Sequence, residues 1–226
     1  MDILILGRGK TGALVAGVAR ERSHRVTVLC ATDNQYASAL TAERLSKVGV
    51  AIDFTTPQAV LGNIEACVRA GKNIVVGTTG WYNEVTRVQQ LVEQSGIGFL
   101  YGANFSFGIN LFYDVARTAA AALQHQYLGQ VFERHHTQKK DAPSGTAMTL
   151  RRIIQDASGA ELEITSFREG DVVGMHELVL NSANDTIYLC HDSKSRRGFA
   201  EGAVRAAEWL AGKQGFFDFK DVWREL

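Results

Sequence analysis

Apolar residues follow two patterns along the first hundred positions, short continuous runs and a repeat of three or four residues. Short apolar runs, typical of buried strands, lie at residues 2–6, 25–30, 50–54, 73–76 and 97–101. Between these runs, apolar residues recur every three or four positions, as Leu14, Val15 and Val18 do. This spacing predicts helices up to residue 23, over residues 59–70 and around residues 85–92. Strands that alternate with helices predict an α/β fold with a parallel sheet.

The pattern changes near residues 104–110, where we place a domain border. A long alanine-rich helix is predicted over residues 110–124, a strand over 126–134, and an amphipathic helix over 147–157. Two or three strand-like runs follow, at residues 162–167, 172–180 and 186–190, with a hairpin turn between the last two. Strands clustered without intervening helices predict a second, antiparallel layer. Residues 199–210 return to a helical pattern.

Composition narrows the class of protein. The chain has 226 residues, of which 46% are hydrophobic, which is enough for one large domain or two small ones. Lys+Arg and Asp+Glu both number 24, and this balance argues against a nucleic-acid partner. Three widely spaced cysteines fit free thiols in a reducing cytoplasm, and we expect a cytoplasmic protein. The longest uncharged stretch, residues 95–113, contains four glycines, so no membrane span is expected.

The first strand leads directly into Gly7-x-Gly9-x-x-Gly12, with Lys10 and Thr11 between the last two glycines. Glycines at this spacing, between a strand and a helix, permit a tight turn and the approach of backbone amides to a pyrophosphate. We therefore predict NADPH or NADH binding; the alternative is a glycine-rich turn without a nucleotide. Arg8 and Lys10 favour the 2′-phosphate of NADPH, but no acid stands where the NAD ribose ligand is expected, so the preference stays open.

Loops after the later strands of an open α/β sheet also face the ligand crevice. Phe54 and Thr55 follow one strand, and Gly77, Thr78 and Thr79 follow the next. Ala103, Asn104 and Phe105 follow the last strand of this half, as a cofactor-side loop or a hinge between domains. Asp53 is expected to cap the segment after it.

Residues 133–147 carry the candidate chemistry. His135 and His136 stand in tandem, Lys139 follows, and Ser144, Gly145 and Thr146 open a predicted helix. Imidazole and ammonium groups exchange protons, and a helix start with exposed N–H groups binds carboxylates. Tandem histidines at the end of a strand point to opposite faces, so they are expected to have different roles. We predict a small acidic substrate and proton-coupled chemistry. A metal site is not expected. Tandem histidines do not share one face of a strand, and no cysteine or third histidine lies nearby at the sequence spacing that metal ligands usually have.

The string Glu133-x-His135-His136-x-x-Lys139-x-Asp141-Ala142-Pro143-Ser144-Gly145-Thr146 resembles the 4-hydroxy-tetrahydrodipicolinate reductase (dihydrodipicolinate reductase) family. The similarity extends over nearly the whole chain, through the glycine loop, Asp53-Phe54-Thr55, Gly77-Thr78-Thr79-Gly80 and Ala103-Asn104-Phe105-Ser106. The family acts in lysine and diaminopimelate synthesis. The resemblance implies a Rossmann-like dinucleotide-binding domain, residues 1–106 and 196–226, and a mixed α+β substrate-binding and oligomerisation domain, residues 107–195, in a homotetramer.

The resemblance also implies roles for particular residues. His135 and Lys139 correspond to catalytic proton-donating groups, and His136, Ser144, Gly145 and Thr146 correspond to contacts of a small dicarboxylate substrate. The cofactor-binding candidates are Gly7, Gly9, Lys10, Thr11, Gly12, Phe54, Thr55, Gly77, Thr78, Thr79, Ala103, Asn104 and Phe105. Two alternatives remain, which are another two-domain nicotinamide-dependent dehydrogenase and a dinucleotide-sensing module without chemistry.

Overall fold

A computed structural model describes residues 1–226. The chain forms two compact units, one of Met1–Ser106 with Arg197–Leu226 and the other of Phe107–Arg196. Neither unit contains a helix that combines the length and the apolar character needed to cross a membrane.

The first unit contains a six-stranded parallel sheet in the order β10-β5-β4-β3-β1-β2. Its strands are β1 Asp2–Leu6, β2 Arg25–Leu29, β3 Val50–Asp53, β4 Asn73–Val76, β5 Gly98–Tyr101 and β10 Gly215–Asp218. After β1 the chain adds β2 on one side and then returns to add β3 on the other. The crevice at the carboxyl ends of β1 and β3 is therefore the expected ligand site of this topology.

Helices cover both faces of this sheet. They are α1 Lys10–Glu21, α2 Ala42–Ser46, α3 Pro57–Arg69, α4 Val85–Ser95, α7 Arg197–Leu210 and α8 Phe219–Val222. Leu4 and Leu6 of β1 belong to the core cluster that includes side chains of α3 and α4. Ile3 and Ile5, which alternate with them, are also buried, and α1 and α7 pack together. Burial on both faces explains why the strands read as continuous apolar runs.

The second unit packs two helices on one face of a four-stranded sheet in the order β7-β6-β8-β9. The strands are β6 Leu128–His135, β7 Ile164–Arg168, β8 Met175–Asn181 and β9 Thr186–Asp192, and the helices are α5 Phe107–Ala119 and α6 Gly145–Ser158. Val131, Leu178 and Leu180 point toward the helices and are fully buried. Their neighbours Phe132 and Val179 lie on the other face and are only half-buried.

The predicted fold class is confirmed, with a parallel α/β sheet and a second mixed sheet. The prediction of an antiparallel second layer is wrong for one pair, because β7 runs parallel to β6. Helix α6 connects these two strands, and a helical crossover of this kind produces parallel pairing. The sequence pattern also missed β10, whose residues form the edge strand beside β5. The predicted helix 110–124 is α5 followed by a 3-10 turn over Ala120–His125.

Candidate functional site

The glycine loop of the first unit requires glycine for steric reasons. Gly7 has a φ of +99°, and a Cβ there would lie 2.2 Å from the carbonyl oxygen of Phe54. A Cβ at Gly12 would lie 2.2 Å from the carbonyl oxygen of Gly7. Gly9 is the N-cap of α1 and offers no side-chain hydrogen bond to the first turn. The amides at the start of α1 are therefore suited to an anionic group such as a pyrophosphate.

A cleft of about 260 Å³ lies where the loops after β1, β3 and β4 meet. It is lined by Gly9, Lys10, Thr11, Gly12, Phe54, Thr55, Pro57, Gly77, Thr78 and Thr79. A Cβ at Gly77 would lie 2.2 Å from the ring of Phe54, so glycine at this position lets that ring pack against the loop after β4. The structure thus brings together most of the predicted cofactor residues, and the open glycine cradle fits a dinucleotide.

Asp53 lies beneath this cleft, fully buried at the end of β3. Its Oδ1 accepts hydrogen bonds from the backbone N–H and hydroxyl of Thr55, at 3.0 and 2.7 Å, and from the hydroxyl of Thr78 at 2.6 Å. Its Oδ2 accepts one from the side-chain amide of Asn63 at 2.7 Å. Burial raises the pKa of Asp53, although these four neutral donors oppose it. Asp53 therefore joins the loops after β3 and β4, as well as capping the local turn.

The loop after β5 takes no part in lining the cleft. Phe105 is 1% exposed and packs between Phe54 and Phe219, at ring distances of 6.0 and 4.7 Å. Asn104 accepts a hydrogen bond from the backbone of Ser106 at 2.9 Å, and Ala103 is exposed. The buried side chain of Phe105 leaves only its backbone to meet a cofactor. The roles of these three residues stay a prediction.

An acidic side chain does stand after β2, although later than the usual ribose ligand. The carboxylate of Asp33 accepts hydrogen bonds from the N–H and the thiol of Cys30, at 3.0 and 2.8 Å. These bonds, with a smaller contribution from the charge of Arg8, lower the pKa of Asp33. An anion and a cation therefore lie near each other beside the glycine loop.

In the second unit, His135 is the last residue of β6 and lies in a buried polar cluster. Glu133 and His135 alternate along β6 and share its inward face, and His176 of the neighbouring strand β8 joins them. These three side chains are 1%, 7% and 4% exposed, respectively. The rings of His135 and His176 meet edge to face at 5.1 Å between centroids. Sequence spacing could not reveal His176, because 40 intervening positions separate it from His135 and only strand pairing unites them.

Burial lowers the pKa of His135 to about 4, although the charge of Glu133 opposes the shift. Burial likewise lowers the pKa of His176 to about 3, with a further decrease caused by His135. Both imidazoles are therefore neutral at pH 7 in the absence of a bound anion.

The start of α6 lies against this cluster. Ser144 is 2% exposed, its hydroxyl accepts a hydrogen bond from the N–H of Ala147 at 3.1 Å, and its own N–H donates to Glu133 at 3.0 Å. Ser144 therefore acts here as a buried helix cap. Gly145 is exposed and begins the helix, so its backbone N–H is the donor best placed for a carboxylate.

Lys139 and His136 lie on the loop between β6 and α6. The ammonium group of Lys139 pairs with both carboxylate oxygens of Asp141, at 2.7 and 2.9 Å. His136 is half-buried, unlike His135, and its N–H donates to the carbonyl of Val172 at 2.8 Å. The different burial of the two histidines agrees with the expectation that they have different roles. Their assignment to substrate and catalysis stays a prediction.

Glu133, His135 and His176 also form a geometric metal triad, with ligand atoms within 4.8 Å of one another. The donor set fits a cation poorly. Both oxygens of Glu133 accept the N–H of Ser144, and Oε1 also accepts the hydroxyl of Ser166 and the guanidinium of Arg168. A metal ion there would have to displace the guanidinium of Arg168, which already neutralises the carboxylate of Glu133.

Comparison with known proteins gives consistent matches along both units. A family model described as "Dihydrodipicolinate reductase, N-terminus" matches residues 1–105, and one described as "Dihydrodipicolinate reductase, C-terminus" matches residues 108–223. A relative from Christiangramia forsetii named 4-hydroxy-tetrahydrodipicolinate reductase is 35% identical over 240 residues and aligns with 100% of this chain and 99% of its own. A relative of the same name from Thiobacillus denitrificans is 35% identical over 228 residues, covering 92% of this chain and 82% of its own.

Solved structures share the fold. A dipicolinate-bound dihydrodipicolinate reductase from Paenisporosarcina sp. TG-14 superposes with a TM-score of 0.80 at 21% identity, covering 98% of this chain and 99% of that one. An engineered D-amino acid dehydrogenase bound to NADP+ gives a TM-score of 0.53 at 12% identity, covering 98% and 93%.

Replacement of Gly12 by alanine is expected to damage the cofactor cradle. The added Cβ collides with the Gly7 carbonyl, so the turn must open. We expect NADPH and NADH binding to weaken at least about tenfold and the free energy of unfolding to fall by about 1–3 kcal/mol. Fluorescence titration and urea unfolding measure the two effects.

Gly17→Ala is the matched control for this test. Gly17 lies in the same helix, and a Cβ there meets nothing within 4 Å. This variant should keep full cofactor affinity and gain about 0.5–1 kcal/mol of stability. Equal cofactor affinity in the two variants would show that the glycine turn does not contribute to cofactor binding.

Stability is expected to depend on pH through the buried histidines. Between pH 6.5 and pH 4.5 the unfolded chain binds protons at these imidazoles, whereas the folded protein keeps them neutral. The free energy of unfolding should therefore fall as the pH is lowered, by roughly 2 kcal/mol per histidine over this range. Urea unfolding of wild type and His176→Gln at several pH values measures the difference.

His125→Gln, at an exposed turn position, serves as the control and should keep the wild-type pH dependence. His176→Gln should be less sensitive to acid. If both variants follow the wild-type curve, His176 is not held neutral in the folded protein.

Proposed function

The chain belongs to the dihydrodipicolinate reductase family, and from this membership we propose that it reduces 4-hydroxy-tetrahydrodipicolinate to tetrahydrodipicolinate with NADPH or NADH. This reaction serves lysine and diaminopimelate synthesis. The substrate loses its 4-hydroxyl group as water, C4 gains a hydride, and one proton is taken up. Each turnover thus consumes one NAD(P)H and one proton and yields NAD(P)+, water and product. The observation that carries the proposal is the segment from β6 to α6, which supplies an imidazole, an ammonium group and a helix start within one unit.

The first unit is proposed to bind the cofactor through the glycine cradle and the cleft beside it. A reduced nicotinamide supplies the hydride when bound. Arg8 suits the 2′-phosphate of NADPH, whereas the carboxylate of Asp33 suits the 2′-hydroxyl of NADH. Because both charges lie at this end of the sheet, we propose that the enzyme accepts both cofactors.

The second unit is proposed to bind the dicarboxylate. The N–H of Gly145 and the ammonium group of Lys139 supply positive potential for one carboxylate, which competes with Asp141 for Lys139. Addition of hydride leaves negative charge on the conjugated imine system of the substrate. His135 and Lys139 are the proton donors that can neutralise it. Positioning of this kind contributes several kcal/mol toward lowering the barrier.

The low pKa of His135 places a condition on its role. At a pKa of about 4, the ring in the unliganded protein is almost entirely neutral at pH 7. A bound dianion beside the ring favours the protonated form and raises the pKa. In this proposal His135 takes up its proton when the substrate binds, whereas Lys139 is already charged.

The homotetramer implied by the family is proposed to form through the open face of the four-stranded sheet. That face carries half-buried Phe132 and Val179 and exposed Phe167 and Tyr188, the last two 43% and 61% exposed. Aromatic and aliphatic side chains on an uncovered sheet face favour association with a second copy.

His135→Gln is expected to lower turnover about 100-fold or more, because general acid catalysis contributes about that much. Cofactor affinity should stay near the wild-type value, since His135 lies in the other unit.

Lys139→Ala should raise KM and lower kcat together, because it removes both a carboxylate ligand and a proton donor. Loss of reduced-cofactor absorbance with NADPH and with NADH measures both variants.

Lys140→Ala is the control, because this exposed lysine stands next to Lys139 and has no assigned role. Wild-type kinetics in His135→Gln would show that the imidazole of His135 is not the proton donor. Cofactor binding by the wild-type protein without turnover would favour the dinucleotide-sensing module. Turnover of a different substrate alone would favour another nicotinamide-dependent dehydrogenase.

Val179→Glu is expected to dissociate the assembly, because it places a charge at the centre of the proposed interface. Mass photometry should give about four times the mass of one chain for the wild type and a smaller species for the variant. Val115→Glu, on an exposed position of α5, should remain tetrameric. A wild-type protein that is monomeric at micromolar concentration would contradict the proposal.

A further inference from the structure

Glu133 is a buried carboxylate that accepts hydrogen bonds from two separate segments, the start of α6 and strand β7. The N–H of Ser144 donates to both of its oxygens, at 3.1 and 3.0 Å. The hydroxyl of Ser166 and the guanidinium of Arg168, both on β7, donate to Oε1 at 2.7 and 3.1 Å. Burial by itself raises the pKa of Glu133, but these donors outweigh it and leave the pKa below its usual value. Glu133 is therefore an anion at neutral pH.

The second oxygen of Glu133 faces two imidazoles. Oε2 lies 3.5 Å from Nδ1 of His135 and 3.8 Å from Nε2 of His176. Nδ1 of His135 is buried and has no hydrogen-bond partner at this distance. An ionised carboxylate only accepts hydrogen bonds, so a proton on Nδ1 is the arrangement that satisfies both groups after a small approach.

The opposite edge of the His135 ring is kept clear. A Cβ at Gly174 would lie 3.0 Å from Nε2 and 3.3 Å from Cδ2 of His135. Glycine at this position therefore leaves Nε2 uncrowded. With Nδ1 directed at Glu133, Nε2 is the nitrogen left for proton exchange.

The same carboxylate also holds the start of α6. Ser144, which donates to Glu133, is the N-cap of that helix. Arg168 extends the connection, because the guanidinium nitrogen that contacts Glu133 also donates to the carbonyl of Asp141 at 2.5 Å. Glu133 thus connects the proton-exchanging ring, the loop that carries Lys139 and the helix start proposed to bind the substrate.

We propose that Glu133 is a positioning residue for the reductase reaction. It holds His135 with Nδ1 as the hydrogen-bonded nitrogen and Nε2 as the reactive one, and it stabilises the imidazolium that donates the proton. This inference rests on the proposed function, in which His135 is a proton donor. The charged and titratable groups that act on His135 are Glu133 on its own strand, Arg168 on β7, His176 on β8, and Lys139 and Asp141 on the loop.

Glu133→Gln tests the proposal with an almost isosteric change. The amide oxygen can still accept from Ser144, whereas its NH₂ group cannot accept from Nδ1 and cannot balance an imidazolium. We expect kcat to fall 10- to 100-fold while KM for the substrate changes by less than about threefold. The alkaline limb of the pH profile of kcat, along which the donor loses its proton in the substrate complex, should move to lower pH by at least about one unit, because the protonated ring loses its counter-charge. Glu133→Asp should restore part of kcat.

Glu163→Gln is the matched control, since it makes the same chemical change at an exposed position just before β7. It should keep wild-type kinetics and the wild-type pH profile. A Glu133→Gln variant with kcat within about twofold of wild type and an unchanged profile overturns the proposal. A fall in kcat with no shift of the profile and no rescue by aspartate also overturns it, because a purely structural role would give that result.

A spectroscopic measurement separates this inference from the proposed function. In protein with ¹⁵N-labelled histidines, the His135 resonances are identified by their loss in His135→Gln. The wild type should show the tautomer with the proton on Nδ1, and Glu133→Gln should show the reverse. A wild-type ring protonated on Nε2 overturns the inference even if Glu133→Gln does not fold. Full activity of His135→Gln refutes the proton role, while the tautomer still reports whether Glu133 orients the ring.

Discussion

A buried carboxylate must be satisfied by hydrogen-bond donors, and this constraint organises both candidate sites. Asp53 and Glu133 are almost completely buried, one in each unit. Neither can stay inside an apolar core unless its oxygens are satisfied. Most of the donors lie on other segments, which are a loop, two helices and the neighbouring strand β7, so satisfying the carboxylate also places those segments. Thr55 and Thr78 are held in this way around Asp53, and Ser144 and Ser166 around Glu133.

The two carboxylates differ in the charge of their donors. All four donors to Asp53 are neutral, and burial prevails, so its pKa is raised. Glu133 also accepts from the guanidinium of Arg168, and its pKa is lowered. The bonds from Ser144 and Ser166 to Glu133, together with the charge-assisted bond from Arg168, outweigh its burial, whereas the donors to Asp53 do not. Asp53 is suited to hold backbone and hydroxyl groups in the cofactor cleft. Glu133 retains its charge and can therefore balance a proton on a neighbouring imidazole.

Local patterns predicted much of the architecture. The run of Asp2–Leu6 and the three glycines after it identify a strand, a turn and a helix, because each signal lies within a dozen consecutive residues. The pattern failed where an element depends on distant partners. Residues 215–218 form a strand only because β5 offers a free edge, and no periodicity marks four residues. The parallel pairing of β7 with β6 was missed because strand direction is decided by where α6 packs.

The order of residues is enough to show which chemical groups are available and which of them are local neighbours. The cradle of Gly7, Gly9 and Gly12 and the succession of His135, Lys139 and Ser144 are properties of consecutive residues, so spacing was sufficient to find them. The surroundings of those groups depend on how the chain folds. Strand pairing places His176 and Arg168 beside Glu133, and Ser144 is buried as a helix cap. Burial and hydrogen bonding set the protonation of each group, and both depend on contacts between strands that no local pattern encodes.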